Sequence, residues 1–210
     1  MGIAERRQRE KQQRHEEILA AARKIFAEKD FHAATMEEIA REAEVSAATL
    51  YLYFKNKDEL FASLNIASLQ YLLDRLRKTD ANPGLTPTDK LGELREILHD
   101  VYEFDPTMVV NVFHLHASHR LAGLSPPLLN QIQELVLASQ EILRRLYDEG
   151  VAAGQFVEAN SVAFADIIWG IFFGVALWEE SKRVMSPHKQ YVKETFQLAA
   201  DMMLRGIQKP

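Results

Sequence analysis

The sequence contains no cysteine. That removes disulfides, thiolate nucleophiles and cysteine-ligated zinc, and it accords with a reducing, cytoplasmic setting. No run alternates apolar and polar residues as a half-buried strand would, and no internal repeat is visible. A glycine-rich phosphate loop, a nucleophile elbow and a paired metal motif are all missing, which argues against an enzyme. The longest apolar run, Ile167 to Trp178, covers 12 residues, against the roughly 20 that a membrane span needs. The basic N-terminus, MGIAERRQREKQQRHEE, is not followed by the apolar segment of a signal peptide. The chain is expected to be soluble, with no membrane partner and no cofactor.

What remains is a helical chain. An apolar content of 47% over 210 residues is that of a globular protein. The net charge of −5 is unevenly spread. Residues 1–57 carry 11 basic and 10 acidic side chains, and residues 58–210 carry 14 and 20. The acidity therefore belongs to the later part, and a nucleic-acid contact needs only a local basic surface.

The spacing predicts an all-α fold of about nine helices. His15 to Lys29 has an apolar stripe of Ile18, Leu19, Ala22, Ile25 and Phe26. The polar stretch before it, with Arg6, Arg7, Arg9, Lys11 and Arg14, reads either as a frayed tail or as a basic arm lying along DNA. Further helices are expected over Lys57 to about Lys78, Asp89 to Phe104, Pro106 to about Arg120, Pro126 to Glu149, Ser161 to about Lys182, and Ser186-Pro187 to about Arg205. TDANPGLTPT, residues 79–88, is the strongest loop signal.

Residues 35–61 carry the most specific pattern. Thr35 is a capping residue, with Glu38 placed to complete a capping box. Met36, Ile39, Ala40 and Ala43 form one apolar face. Ser46 caps a second short helix, on which Leu50 and Phe54 point one way. Ala47, Ala48, Thr49, Tyr51 and Tyr53 are left to point elsewhere. Two short helices joined by a tight turn, the second presenting small and hydroxylated side chains, fit a major groove. Ala47 and Ala48 permit close approach to base edges and thymine methyls. Tyr51, Tyr53 and Lys57 can reach flanking phosphates, which set register. The alternative is an ordinary helical hairpin with exposed tyrosines.

This stretch resembles the DNA-binding segment of TetR-family transcriptional regulators. Phe31, Ala34-Thr35-Met36, Ile39-Ala40, Ala43, Val45-Ser46, Thr49-Leu50-Tyr51, Tyr53-Phe54, Lys55-Asn56-Lys57 and Glu59-Leu60-Phe61 carry the likeness, over about 45 residues from Ile18. Where that family usually has glycine in the inter-helix turn, this chain has Glu44. The resemblance implies a helix-turn-helix DNA-binding domain over residues 1–57 and a larger helical ligand-binding and dimerisation domain over 58–210. It implies contacts with double-stranded DNA, an inverted-repeat operator, through Arg14, Thr35, Ser46, Ala47, Ala48, Thr49, Tyr51, Tyr53 and Lys57.

Residues 162–178, VAFADIIWGIFFGVALW, are apolar on every face. Gly170 and Gly174 would let another helix approach closely. The family's last two helices build a homodimer, which here assigns Gly170, Gly174, Trp178, Phe196 and Met203 to the interface. A single-chain core is the alternative. Phe104, Met108, Phe113, Trp169, Phe172 and Phe173 offer more aromatic surface than a compact core requires. An aromatic stripe at helical spacing is more often core; as a binding site, the expected residues are Phe104, Met108, Phe113, His116, Trp169 and Phe173, for a small apolar or amphipathic effector. His114, His116 and His119 form a tempting cluster. Only His116 and His119 share a helical face, and two ligands do not make a zinc site, so no metal is expected.

Three functions stay open at this point. The first is a repressor released by its ligand. The second is an architectural or partner-recruiting DNA-binding protein of the same fold. The third is a helical enzyme using His116 or His119.

Overall fold

The structure, a computed structural model, describes residues 2–29, 31–106, 108–109, 112, 123–185 and 191–209. The fold is all-α. Among the described residues the sole β-type pairing is an isolated bridge between Phe156 and Gln208. The chain forms two compact units. Unit 1 takes residues 1–65 with the described part of 111–129, and unit 2 takes the rest.

Unit 1 begins with α1, Ile3–Glu28. The helix starts a dozen residues before the expected His15, so the basic N-terminal stretch is helical. Its residues are good helix formers linked at i,i+4: Arg6 pairs with Glu10 at 3.1 Å, and Gln12 donates to Glu16 at 2.9 Å. Next come α2, Met36–Glu42, and α3, Ala47–Tyr53, followed by the start of α4, Lys57–Asp80. Ile18 and Ala22 of α1, Ile39 of α2, Leu50 of α3 and Leu60 of α4 are all completely buried. Phe31 fills the gap between α1 and α4. Its ring lies 5.9 Å from that of Phe26 and 4.6 Å from that of Phe61.

In unit 2 the expected helix from Asp89 to Phe104 starts earlier and is interrupted. It is α5, Pro87–Gly92, and α6, Leu94–Phe104. Thr86 caps α5 through its hydroxyl, ahead of a proline in the first turn. Glu93 between them keeps helical torsions, so the break is slight. Then follow α7, Pro126–Ala152, α8, Ser161–Met185, and α9, Val192–Ile207. The expected helix from Pro106 falls mostly on residues outside the described ones, as does the Ser186-Pro187 start of the last helix.

Phe196 of α9 centres the packing of unit 2, with its ring 6.2 Å from Tyr102 and 5.8 Å from Phe172. Two glycines near the end of α7, Gly150 and Gly154, have different roles. Gly154 does end α7, with φ 74°. Gly150 lies inside the helix, against the Phe156 ring. Phe156 belongs to a return segment held by the C-terminus: Val157 donates to the Ile207 carbonyl at 2.8 Å and Lys209 to that of Gln155 at 2.9 Å.

Candidate DNA-binding and ligand sites

The reading helix is positioned by two caps and a strained turn. Thr35 Oγ1 accepts the Glu38 amide at 3.2 Å, and Glu38 returns a carboxylate oxygen to the Thr35 amide at 3.1 Å. This is the anticipated capping box. Lys29 also pairs with Glu38, and that bond, followed by the Thr35 amide, holds the carboxyl below its ordinary range. At the turn, Glu44 takes φ 54°, the left-handed conformation usually given to glycine. The Val45 amide bonds the Ala40 carbonyl at 2.9 Å and closes α2. Ser46 then opens α3, its Oγ accepting the Thr49 amide at 3.0 Å and lying 2.8 Å from Thr49 Oγ1.

Leu50 and Phe54 anchor α3 from beneath, while Ala48, Tyr51 and Leu52 are exposed and Ala47, Thr49 and Tyr53 are partly so. Leu52 was not anticipated from the sequence. At 82% exposure it is the most open large apolar side chain on the reading helix. Its signal was available: a leucine two positions from Leu50 cannot share the buried face of a helix.

Lys57 is placed differently from a phosphate-seeking lysine. Its Nζ donates to the carbonyls of Phe31 and Ala34 at 2.7 and 2.8 Å and lies 4.5 Å over the Phe31 ring. It ties the loop before α2 to the start of α4. Arg14, on the outer side of α1, pairs with Glu17 at 2.8 Å. The His15 ring packs at a tilt against Phe54, with centroids 5.0 Å apart. Burial, the largest influence, pulls its pKa down, with Lys11 adding to this and Glu16 opposing it.

In unit 2, Leu72 and Leu76 of α4, Leu94, Leu98 and Val101 of α6, Leu143 of α7 and Ile168, Trp169 and Phe172 of α8 line a cavity of about 20 Å³. That is room for roughly one water. Its lining is apolar; the Nε1 of Trp169 is buried and has no acceptor among the described residues. Of the six residues expected to bind a ligand, Trp169 lines this cavity. Phe173 stacks on Trp169 at 5.7 Å, and Met108 is buried but not among the lining residues. Phe104 is 48% exposed and stacks on Tyr71 at 4.6 Å. Phe113 and His116 lie outside the described residues, with His114 and His119. Among the described residues no group of acidic and histidine side chains could hold a metal ion.

The helix α8 is buried along Phe164, Ala165, Ile168, Phe172 and Ala176. By length and composition alone the stretch Ser161–Lys182 is long and apolar enough to cross a membrane, longer than the 12-residue run at its centre. Its outer side shows Val162, Ile167 and Trp178, and a Cβ at Gly170 or Gly174 would meet open space. Phe196 lies inside unit 2, and Met203 is half-buried. Leu198 and Met202, the latter 65% exposed, are the open apolar side chains of α9.

Residues 18–64 match the family model of the bacterial regulatory proteins of the tetR family. A fatty acid metabolism regulator protein of Bacillus subtilis is 26% identical over 202 residues, covering 95% of this chain and 98% of that protein. The transcriptional activator FasR of Mycolicibacterium smegmatis is 35% identical over 92 residues, 44% of this chain and 40% of its own length. Among solved structures, the regulator PfmR of Thermus thermophilus superposes with a TM-score of 0.72 at 22% identity, covering 90% of this chain and 97% of that one. FadR of Bacillus subtilis, solved in complex with stearoyl-CoA, gives 0.68 at 22% identity, with 91% and 98% covered. Residues 18–64 of unit 1 thus carry the DNA-binding segment of the bacterial regulatory proteins of the tetR family, and the chain as a whole shares the fold of the solved regulators it resembles.

Proposed function

We propose that this regulator represses transcription as a homodimer on an inverted-repeat operator and is released by a long-chain acyl compound. Residues 1–57 serve DNA binding, and residues 58–210 serve ligand binding and dimerisation. Ala47, Ala48 and Thr49, behind the Ser46 cap, approach base edges. Tyr51, Tyr53 and Arg14 contact phosphates, and Leu52 adds an apolar contact. Thr35 keeps a surface position beside them, and Lys57 holds the loop before α2. The exposed face of α8 and α9 takes the second protomer, with Gly170 and Gly174 at the close approach.

The observation that carries the ligand reading is the cavity of unit 2, whose lining is wholly apolar. An acyl chain matches such a lining. The fatty acid regulator relative and the stearoyl-CoA complex of FadR support that class. At about 20 Å³ the cavity must widen to admit a chain. Such a ligand therefore binds one shape and excludes the other, which is what a switch requires. The same small volume favours a second reading, a DNA-binding protein that answers to no ligand.

One experiment separates the two. Genomic fragments are selected at fixed salt, and the preferred fragment is then titrated with stearoyl-CoA and with free coenzyme A. The expected result is a short inverted repeat whose affinity falls about 100-fold, or about 2.7 kcal/mol, with stearoyl-CoA alone. An inverted repeat that stays bound at saturating stearoyl-CoA would leave the ligand-independent reading.

A further inference from the structure

Glu59, in the first turn of α4, is buried, with its side chain spanning two elements. Its Oε2 accepts the amide of Lys55 at 3.0 Å, and its Oε1 accepts the amide of Ser125 at 3.0 Å. Lys55 is the first residue after Phe54, the cap that ends α3. Ser125 immediately precedes α7, and its carbonyl takes the Leu129 amide at 3.0 Å in that helix's first turn. A glutamate near a helix start often bonds an amide of its own turn. That habit explains one oxygen but not the other, because Ser125 lies 66 residues away.

The two helices that start at this carboxylate also share a wall further along. Leu72 and Leu76 of α4 and Leu143 of α7 line the apolar cavity of unit 2. Each helix is continuous between the two places, Lys57–Asp80 and Pro126–Ala152. A carboxylate bonded to both can follow them only while they move together.

We propose that Glu59 is the joint through which the state of the cavity reaches the reading helix. While the cavity is small, both amides share the carboxylate, and the exit of α3 is held in register with α7. When the cavity widens, α4 and α7 separate, the Ser125 bond is lost, and α3 is re-aimed. This rests on the reading that the cavity is the effector site.

Burial alone would push the Glu59 carboxyl up, but the hydrogen bonds from Ser125 and Lys55 outweigh it, and its pKa is lowered. The side chain is therefore an anion held by two amides, an arrangement in which charge strengthens both bonds. Glu59→Gln keeps the shape and one acceptor oxygen, but sets an amide N–H₂ against one of the two N–H groups.

The test is a double-mutant cycle on operator affinity, and it needs no ligand. Leu143→Phe adds bulk at the cavity wall from α7. Affinity for the preferred genomic fragment is measured at one salt concentration for the natural protein, Glu59→Gln, Leu143→Phe and the double variant. Each protein is first shown to be folded by circular dichroism. The expected result is an affinity loss from Leu143→Phe of about tenfold in the natural background and under about twofold beside Glu59→Gln. A purely structural glutamate would give the same loss in both backgrounds, and that outcome overturns the proposal. So does a natural background in which Leu143→Phe changes nothing. Should Leu143→Phe fail to fold, Leu76→Phe applies the same pressure from α4. A failure of stearoyl-CoA to release the operator, with the cycle still coupled, would discard the acyl ligand and keep the joint.

Discussion

Glu44 and Gly150 show how single residues are spent in this fold. Glu44 adopts a left-handed backbone without being glycine, at a cost of about 1 kcal/mol. The turn accepts this because the Val45 amide and the Ser46 cap hold both sides of it. Gly150 does the reverse. It sits within the last turn of α7, where alanine would be the better helix former, because a Cβ there would lie 2.0 Å from the Phe156 ring. Gly150→Ala should therefore destabilise the protein by about 1–3 kcal/mol despite alanine's better helix propensity. Urea unfolding checks this, and a variant as stable as the natural protein would mean Phe156 moves freely. The caps at Thr35 and Ser46 were legible because their partners lie three residues away. The restraint on Lys57 was not, since its carbonyl partners lie 23 and 26 residues earlier. Only the folded loop brings them within reach.

At the scale of the element, α3 is set by opposition: Leu50 and Phe54 are buried, and Ala48, Tyr51 and Leu52 are open. A helix this short is not stable alone, so the two anchors and the caps must hold it. Side chains on the open face should then affect binding without affecting folding. Tyr51→Ala and Leu52→Ala are each expected to weaken operator binding about tenfold, roughly 1.4 kcal/mol. Melting temperature should be unchanged, as is usual for exposed positions. Anisotropy titrations at fixed salt measure this, and full affinity in both variants would remove α3 from the interface. The extension of α1 back to Ile3 was missed for a physical reason. With no apolar stripe before Ile18, only i,i+4 pairing and propensity signalled a helix.

At the scale of the whole molecule, the open face of α8 is the proposed seat of the second protomer. Trp178 is 59% exposed and the glycines at 170 and 174 face empty space. In a lone protomer these groups would leave a large apolar patch in water. Gly174→Glu meets nothing within one protomer, so it should leave the fold intact and abolish dimerisation. Sedimentation at about 10 µM is expected to show a monomer, and operator affinity should fall more than 100-fold, because two tethered reading helices engage two half-sites about 34 Å apart. A Gly174→Glu protein that still sediments as a dimer would place the interface elsewhere.

The sequence by itself determined the helical class, the caps, the turn and the faces of α2 and α3. These depend on periodicities and short-range bonds written within four or five residues. It also marked α8 as apolar all round, without saying which side is covered. Tertiary structure decided the rest. It placed Phe196 in the interior of unit 2 and left Leu198 and Met202 outside. It chose Trp169 over Phe104 for the cavity wall, and it brought Ser125 to Glu59. Each of these depends on packing between segments far apart in the chain, where many apolar side chains are chemically interchangeable and only their mutual fit selects one arrangement.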